Sequence, residues 1–210
     1  IYSYKRLRKT TQYRRDETRF RSALAAYKRL KELEDKGMLN IRYFDESGFT
    51  LTPSIPYGWQ PIGETIGIPC QHSKRQNVLG FMSRDGQLHY EVTEQRVTTE
   101  VVIKVFDDFA KAYYEDEYQK MGKLCFVILD NASMHSSKAF KKSIGKWLLK
   151  GLVINYIPPY SPELNLIEIL WRKVKYEWLP LEAYKDKISL SYWLNKILYG
   201  FGEECTITFE

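Results

Sequence analysis

A chain of 210 residues that is 44% hydrophobic and 15% aromatic can bury one sizeable core, which excludes disorder for most of its length. No apolar run approaches the roughly 18–20 residues of a membrane span, the opening IYSYKR has no apolar signal core, and Cys70, Cys125 and Cys205 are never in a C-x-x-C spacing, so a membrane partner, a disulfide scaffold and a zinc site are all unexpected and a reducing cytoplasm is the expected location. The net charge of +6 is uneven: residues 1–40 hold 12 Lys and Arg against 5 Asp and Glu, whereas the rest hold 20 against 21.

In chain order, residues 5–15, KRLRKTTQYRR, set Lys5, Arg6, Arg8, Lys9, Arg14 and Arg15 among Tyr and Thr. Such an arm meets a polyanion, because each phosphate that it neutralises releases condensed counterions. A merely solvated basic surface is the alternative. The chain opens on Ile1 rather than Met, which points to a fragment of a longer protein. Asp16 and Glu17 then start a helix in which Phe20, Ala23, Leu24, Tyr27 and Leu30 form one packed face and Lys36-Gly37 the end. Composition changes near residue 40, which divides an arm (1–40) from a body (41–210). Residues 41–45 alternate like a strand, and Pro53, Pro56, Pro61 and Pro69 make the following stretch a loop with room for an edge strand.

Residues 77–81 and 88–92 are apolar runs around Ser83-Arg84-Asp85-Gly86, the signal of a hairpin, and with 41–45 they predict three antiparallel strands. A helical period from Thr98 through Val101, Val102, Val105, Phe106, Phe109 and Tyr113 ends around Met121-Gly122. Residues 124–129, LCFVIL, are apolar throughout, as a parallel strand covered on both faces is. A helix over 137–149 and a second buried strand over 152–157 complete a β-α-β unit, and helices follow at 164–179 and near 188–199. The expected fold class is α/β: a mixed sheet of three antiparallel strands and then parallel ones, flanked by helices.

Asp45 and Asp130 stand at the carboxyl ends of expected strands, where open α/β sheets bind ligands, although each alone also suits a turn cap. Glu168 lies at the rim of the stripe formed by Leu166, Ile167, Leu170, Trp171, Val174 and Trp178; its alternative is a surface pair with Arg172. Three carboxylates without a Cys/His cluster suit Mg²⁺ or Mn²⁺, and two such ions about 4 Å apart clamp an in-line displacement at phosphorus. Asn131 and His135 either touch a phosphate or a metal-bound water, or, for Asn131 to Ser133, shape a turn. His72 and His89 read as structural, Tyr57 to Trp59 as a loop anchor or a base-stacking group, and the prolines of PPYSP as a rigid connection or a polyproline ligand.

Asp45 in FDESGF, Asp130 in LDNASMHSS, and Glu168 in PPYSPELNLIE followed by LWRKVK together resemble the DDE transposases of the mariner superfamily, most closely the bacterial insertion sequence 630 family, over roughly residues 41–178. The resemblance implies a ribonuclease H-like fold in which these three acids are the catalytic metal ligands, with residues like Asn131 and His135 nearby. It further implies cut-and-paste transposition of double-stranded DNA, target choice at TA, a homodimer on paired transposon ends, a bacterial nucleoid location, and a linker role for SYKRLRK. Two departures stand out: Leu166 replaces the family's Pro before Ile-Glu, and the family's upstream helix-turn-helix region does not precede SYKRLRK. A DNA-binding remnant without catalysis, and a nuclease of the same fold without strand transfer, are the alternatives. Two corollaries are that Asp130→Asn raises thermal stability without metal, by relieving repulsion, and that Glu163 supports the N-terminus of the helix carrying Glu168.

Overall fold

A computed structural model of the chain describes residues 12–54, 60–65, 67 and 75–209. Lys5, Arg6, Arg8, Lys9, Tyr57, Trp59, Cys70 and His72 lie outside the described residues. After a 3₁₀ turn at Gln12–Arg14, helix α1 (Glu17–Asp35) starts where the Asp16 carboxylate accepts the Arg19 amide, and it stops at Lys36 with Gly37 at φ 72°. Its Phe20, Leu24, Tyr27 and Leu30 pack on the core. The Tyr27 and Tyr43 hydroxyls lie 2.7 Å apart, and the Glu34 carboxylate accepts from the Ile41 amide and from Arg84, each at 2.7 Å.

Strands β1 (Asn40–Phe49), β2 (Gln76–Met82), β3 (Leu88–Thr93), β4 (Cys125–Leu129) and β5 (Leu152–Tyr156) form one sheet in the order β3-β2-β1-β4-β5. The first three are antiparallel, and β4 and β5 join in parallel. Helix α2 (Thr99–Tyr113), capped by the Thr98 hydroxyl, runs through a π-helical turn (Tyr114–Tyr118) and a last turn α3 (Gln119–Met121) to Gly122. Helix α4 (Lys138–Leu148) is capped by Ser137. Helices α2 and α4 cover one face of the sheet, where Phe44, Phe81, Phe106, Phe140 and Trp147 interlock. Helices α1, α5 (Ile167–Lys173) and α6 (Lys187–Tyr199) lie against Ile41, Tyr43, Val78 and Ile128 on the other face.

Three elements depart from the sequence reading. First, β1 does not stop at Asp45, because β2 keeps pairing with it as far as Phe49 and Gln76 after β4 has left its other side. Second, β5 is an edge strand, buried only at Leu152, and not a strand covered on both faces. Third, the expected 164–179 helix is broken: a 3₁₀ turn (Pro162–Leu164) ends at Asn165, α5 begins two residues later, and a π-helical turn (Val174–Trp178) closes it. The described residues of the loop after β1 contain no edge strand. No helix among the described residues is long and apolar enough to cross a membrane.

Candidate active site

The site is built where two strands part. β1 and β4 pair in parallel as far as Tyr43 and Ile128; Asp45 stands two residues further along β1, and Asp130 is the first residue past the end of β4. The two-residue alternation of β1 turns Asp45 toward the face of Tyr43, the face covered by α5, and Asp130 lines the same cleft from the end of β4. On its other side Asp45 is opposite Gly80. A Cβ on Gly80 would stand 3.2 Å from Trp171 and 3.4 Å from Ile167, so the bare glycine lets α5 lie close beside Asp45.

The third acid reaches the same place through its helix. Asn165 is buried and donates its amide to the Phe44 carbonyl at 2.9 Å, which pins the start of α5 to the residue before Asp45. Ile167, Leu170, Trp171 and Val174 bury the inner face, and Glu168 stands at the edge, its side chain open to solvent on one side and its carboxyl against the cleft on the other. Leu166 has φ −62°, the value that a proline ring imposes, so the missing proline leaves the helix start in place. Asp45, Asp130 and Glu168 then line one cleft of about 430 Å³ with Asn131, Tyr160 and Asn165. Tyr160, at φ 59°, forms part of its rim.

The acids differ electrostatically. Burial pushes the Asp45 carboxyl well above the usual carboxylate range, and the charges of Glu168, Glu46 and Asp130 add to the shift. Glu168 is raised by burial, with Lys175 opposing and Asp130 and Glu46 adding. Lys175, and not Arg172, is thus the cation that Glu168 feels. Asp130 is lowered: its hydrogen bond with His135 outweighs burial, and the Ala132 amide helps. The expected stability gain therefore belongs to Asp45 and not to Asp130. A carboxyl whose folded pKa is raised loses stability as pH climbs from its unfolded value through its folded one. With a chelator present, Asp45→Asn is expected to raise Tm at neutral pH, by about 2–4 °C per kcal/mol relieved, with the gain vanishing in acid. Thermal melts at pH 4 and 8 check this.

Asn131 donates to the Ile157 carbonyl and so ties together the exits of β4 and β5. The turn reading of residues 131–133 holds for the backbone: the Ala132 amide donates to Asp130 Oδ1 at 2.9 Å, and the His135 amide to the Ala132 carbonyl at 2.9 Å. His135 itself corrects an expectation, because its ring is fully buried behind Asp130 and does not reach the cleft. Its Nδ1 lies 2.8 Å from Asp130 Oδ1 and its Nε2 3.4 Å from Glu46 Oε2. Burial opposes the charged ring, yet the hydrogen bond with Asp130 and the nearby Glu46 carboxylate push its pKa up to about 9. Glu46 and Asn165 were not singled out in the sequence. Alternation along β1 signals the first, since the residue after Asp45 must face the opposite side.

The arm also differs from expectation. Arg15 is only 11% exposed, stacks 3.7 Å from the Phe20 ring centre, and pairs with Glu17 and Glu163, so it is not a free phosphate ligand. Glu163 in turn sits in the 3₁₀ turn and answers Arg15, and it does not support the N-terminus of α5. Arg14 is exposed beside Tyr13 and Tyr160.

The charged donors facing the cleft are carboxylate oxygens, with no Cys or His among the lining residues, and this hard set fits Mg²⁺ or Mn²⁺. Among the described residues no three His, Cys, Asp or Glu side chains form a preassembled metal cluster, so the acids share the cleft as separate groups. The sequence matches the family described as DDE superfamily endonuclease over residues 40–191. The chain belongs to the DDE endonuclease superfamily.

Solved structures agree in fold. The Mos1 mariner paired end complex with Mn superposes with a TM-score of 0.66 at 13% identity, over 95% of this chain and 60% of that one. A pre-cleavage Mos1 transpososome gives 0.66 at 16%, over 95% and 59%, and the isolated Mos1 catalytic domain 0.61 at 16%, over 94% and 85%. This DDE domain therefore has the ribonuclease H-like α/β fold, and it spans about 60% of the length of the first of these transposase chains. No curated protein matches it.

Proposed function

We propose that this DDE endonuclease domain is the catalytic part of a cut-and-paste transposase of the insertion sequence 630 family, acting on double-stranded DNA. The observation that carries the reading is the convergence of Asp45, Asp130 and Glu168, from three separate motifs, on one cleft. Those three would hold Mg²⁺ or Mn²⁺, as one ion or a pair. Bound there, the ions supply Lewis-acid stabilisation of the phosphorane charge and a lowered pKa for the attacking hydroxyl. The protein's own part is to present the acids: Asp130 is kept ionised by His135, while Asp45 and Glu168, raised by burial and by neighbouring acids, gain most from a cation. Attack by water on a phosphodiester breaks its P–O3′ bond, releases a 3′-hydroxyl and so nicks the strand, and attack by a DNA 3′-hydroxyl on a target phosphodiester breaks that P–O3′ bond in the same way and joins the two strands.

Lys5, Arg6, Arg8, Lys9 and the exposed Arg14 are the proposed phosphate contacts of an arm over residues 1–40 that precedes the catalytic body, with Arg15 locking the arm to that body. Action as a homodimer on paired transposon ends, TA targets and a place in the bacterial nucleoid complete the proposal. Mos1 is described in paired-end and strand transfer complexes, which supports DNA partners of this kind. The test is incubation of the protein with DNA carrying the element's own ends, Mg²⁺ and a TA-containing target. Joined products support the transposase. Nicks without joining point to a nuclease of the same fold, and uncut DNA to a remnant that only binds.

A further inference from the structure

Behind the cleft lies a second polar arrangement, built on the fully buried His135 ring. Alternation along β1 sends Asp45 toward α5 and Glu46 to the opposite face, where Phe44 and Phe140 pack against the His135 ring at centroid distances of 5.5 and 6.0 Å. The turn that carries His135 is held from outside, since the Tyr156 hydroxyl donates to the His135 carbonyl at 2.6 Å. Among the described residues His135 Nε2 and Glu46 Oε2 have no hydrogen-bond partner, and they face each other at 3.4 Å. The other ring nitrogen, Nδ1, is 2.8 Å from Asp130 Oδ1.

The consequence falls on Asp130. Its Oδ1 already receives the Ala132 amide and the His135 ring nitrogen, so both of its accepting directions are taken. Oδ2 is the oxygen left for the cleft. A carboxylate that is half exposed, at 51%, would otherwise rotate among several rotamers. The imidazole prevents this only while its own orientation is fixed, and Glu46 at the far edge of the ring fixes it. Ligand carboxylates and their supporting hydrogen bonds stand in this relation in many metal sites.

We infer that His135 and Glu46 are positioning residues, a buried relay from β1 to the end of β4 that locks Asp130 with one oxygen turned inward and the other offered to a divalent cation in the cleft. The inference rests on the proposed carboxylate site and adds the two residues that aim it. A purely packing role for His135 makes a different forecast, because any loss would then follow ring volume and thermal stability and not hydrogen-bond donation to Asp130.

The test measures Mn²⁺ affinity of the whole 210-residue chain by electron paramagnetic resonance of the free ion, with Tm recorded in parallel. His135→Ala is expected to weaken Mn²⁺ binding roughly 10–100-fold. His135→Asn, whose Nδ2 stands in for Nδ1, is expected to recover most of that loss although it restores little ring volume. Glu46→Gln is expected to fall at the lower end of the same range. Wild-type affinity in His135→Ala, or no recovery in His135→Asn at a native-like Tm, overturns the inference. If His135→Ala fails to fold, Glu46→Gln decides, and unchanged affinity there overturns it too. Asp130→Asn separates the two levels: if that variant binds Mn²⁺ as the wild type does, the carboxylate site itself is wrong, whereas failure of the His135 and Glu46 variants alone removes only the relay.

Discussion

Asp130→Asn is expected to abolish metal-dependent DNA cleavage, by roughly 10²–10⁴-fold if several kcal/mol of transition-state stabilisation is lost, while DNA binding persists. The reason lies in how the side chain is held. An asparagine keeps an Oδ1 that accepts from Ala132 and His135, so the rotamer survives. What changes is the other terminal atom, where an amide N–H replaces an anionic oxygen and points a donor at the place of a cation. Because the charged Asp130 is favoured in the folded state, the substitution also lowers stability modestly. Plasmid nicking in Mg²⁺, alongside a DNA mobility shift, measures both effects, and full cleavage by the variant would remove Asp130 from the site.

Glu168→Gln is expected to lose cleavage on the same scale, and Glu163→Gln is not. The two substitutions are chemically identical and five residues apart in one motif. Glu168 lines the cleft, carried there by a helix that Asn165 ties to β1. Glu163 lies before that tie, with its carboxylate on Arg15 and its side chain 38% exposed, so its loss is worth about 0–1 kcal/mol of stability. Kinetics of nicking by both variants tell a cleft carboxylate from a tether. Equal losses would mean that the motif had been read in the wrong register.

Much of this architecture is local and so was legible in the sequence. Asp85-Gly86 announced the β2–β3 hairpin, Asp16 the start of α1 and Thr98 the start of α2, because a turn or a cap is decided by a few adjacent residues. The wholly apolar LCFVIL read as a strand covered on both faces, and β4 is one. The three acids singled out in the sequence line one cleft in the fold, because they stand at the ends and edge of elements that the sequence already outlined. The misread features were decided at a distance. The length of β1 depends on β2, a partner that begins at Gln76, after a long loop. LVINYI is apolar enough for the middle of a sheet, but strand order put it at the edge. Helical periodicity ran through Asn165 without a break, yet that side chain is committed to the Phe44 carbonyl, 121 positions away, and the helix starts after it. Arg15 counted as a free charge until the fold brought Glu163 to it across 148 positions.

We propose that Asp45, Asp130 and Glu168 act together as one divalent-metal site. A Mn²⁺ binding isotherm of the wild-type chain beside Asp45→Asn, Asp130→Asn and Glu168→Gln tests it most directly, since binding needs neither DNA nor turnover. Saturable Mn²⁺ binding by the wild type and weaker binding in each of the three variants are expected. Failure of the wild type to bind, or unchanged affinity in any one variant, would contradict the proposal.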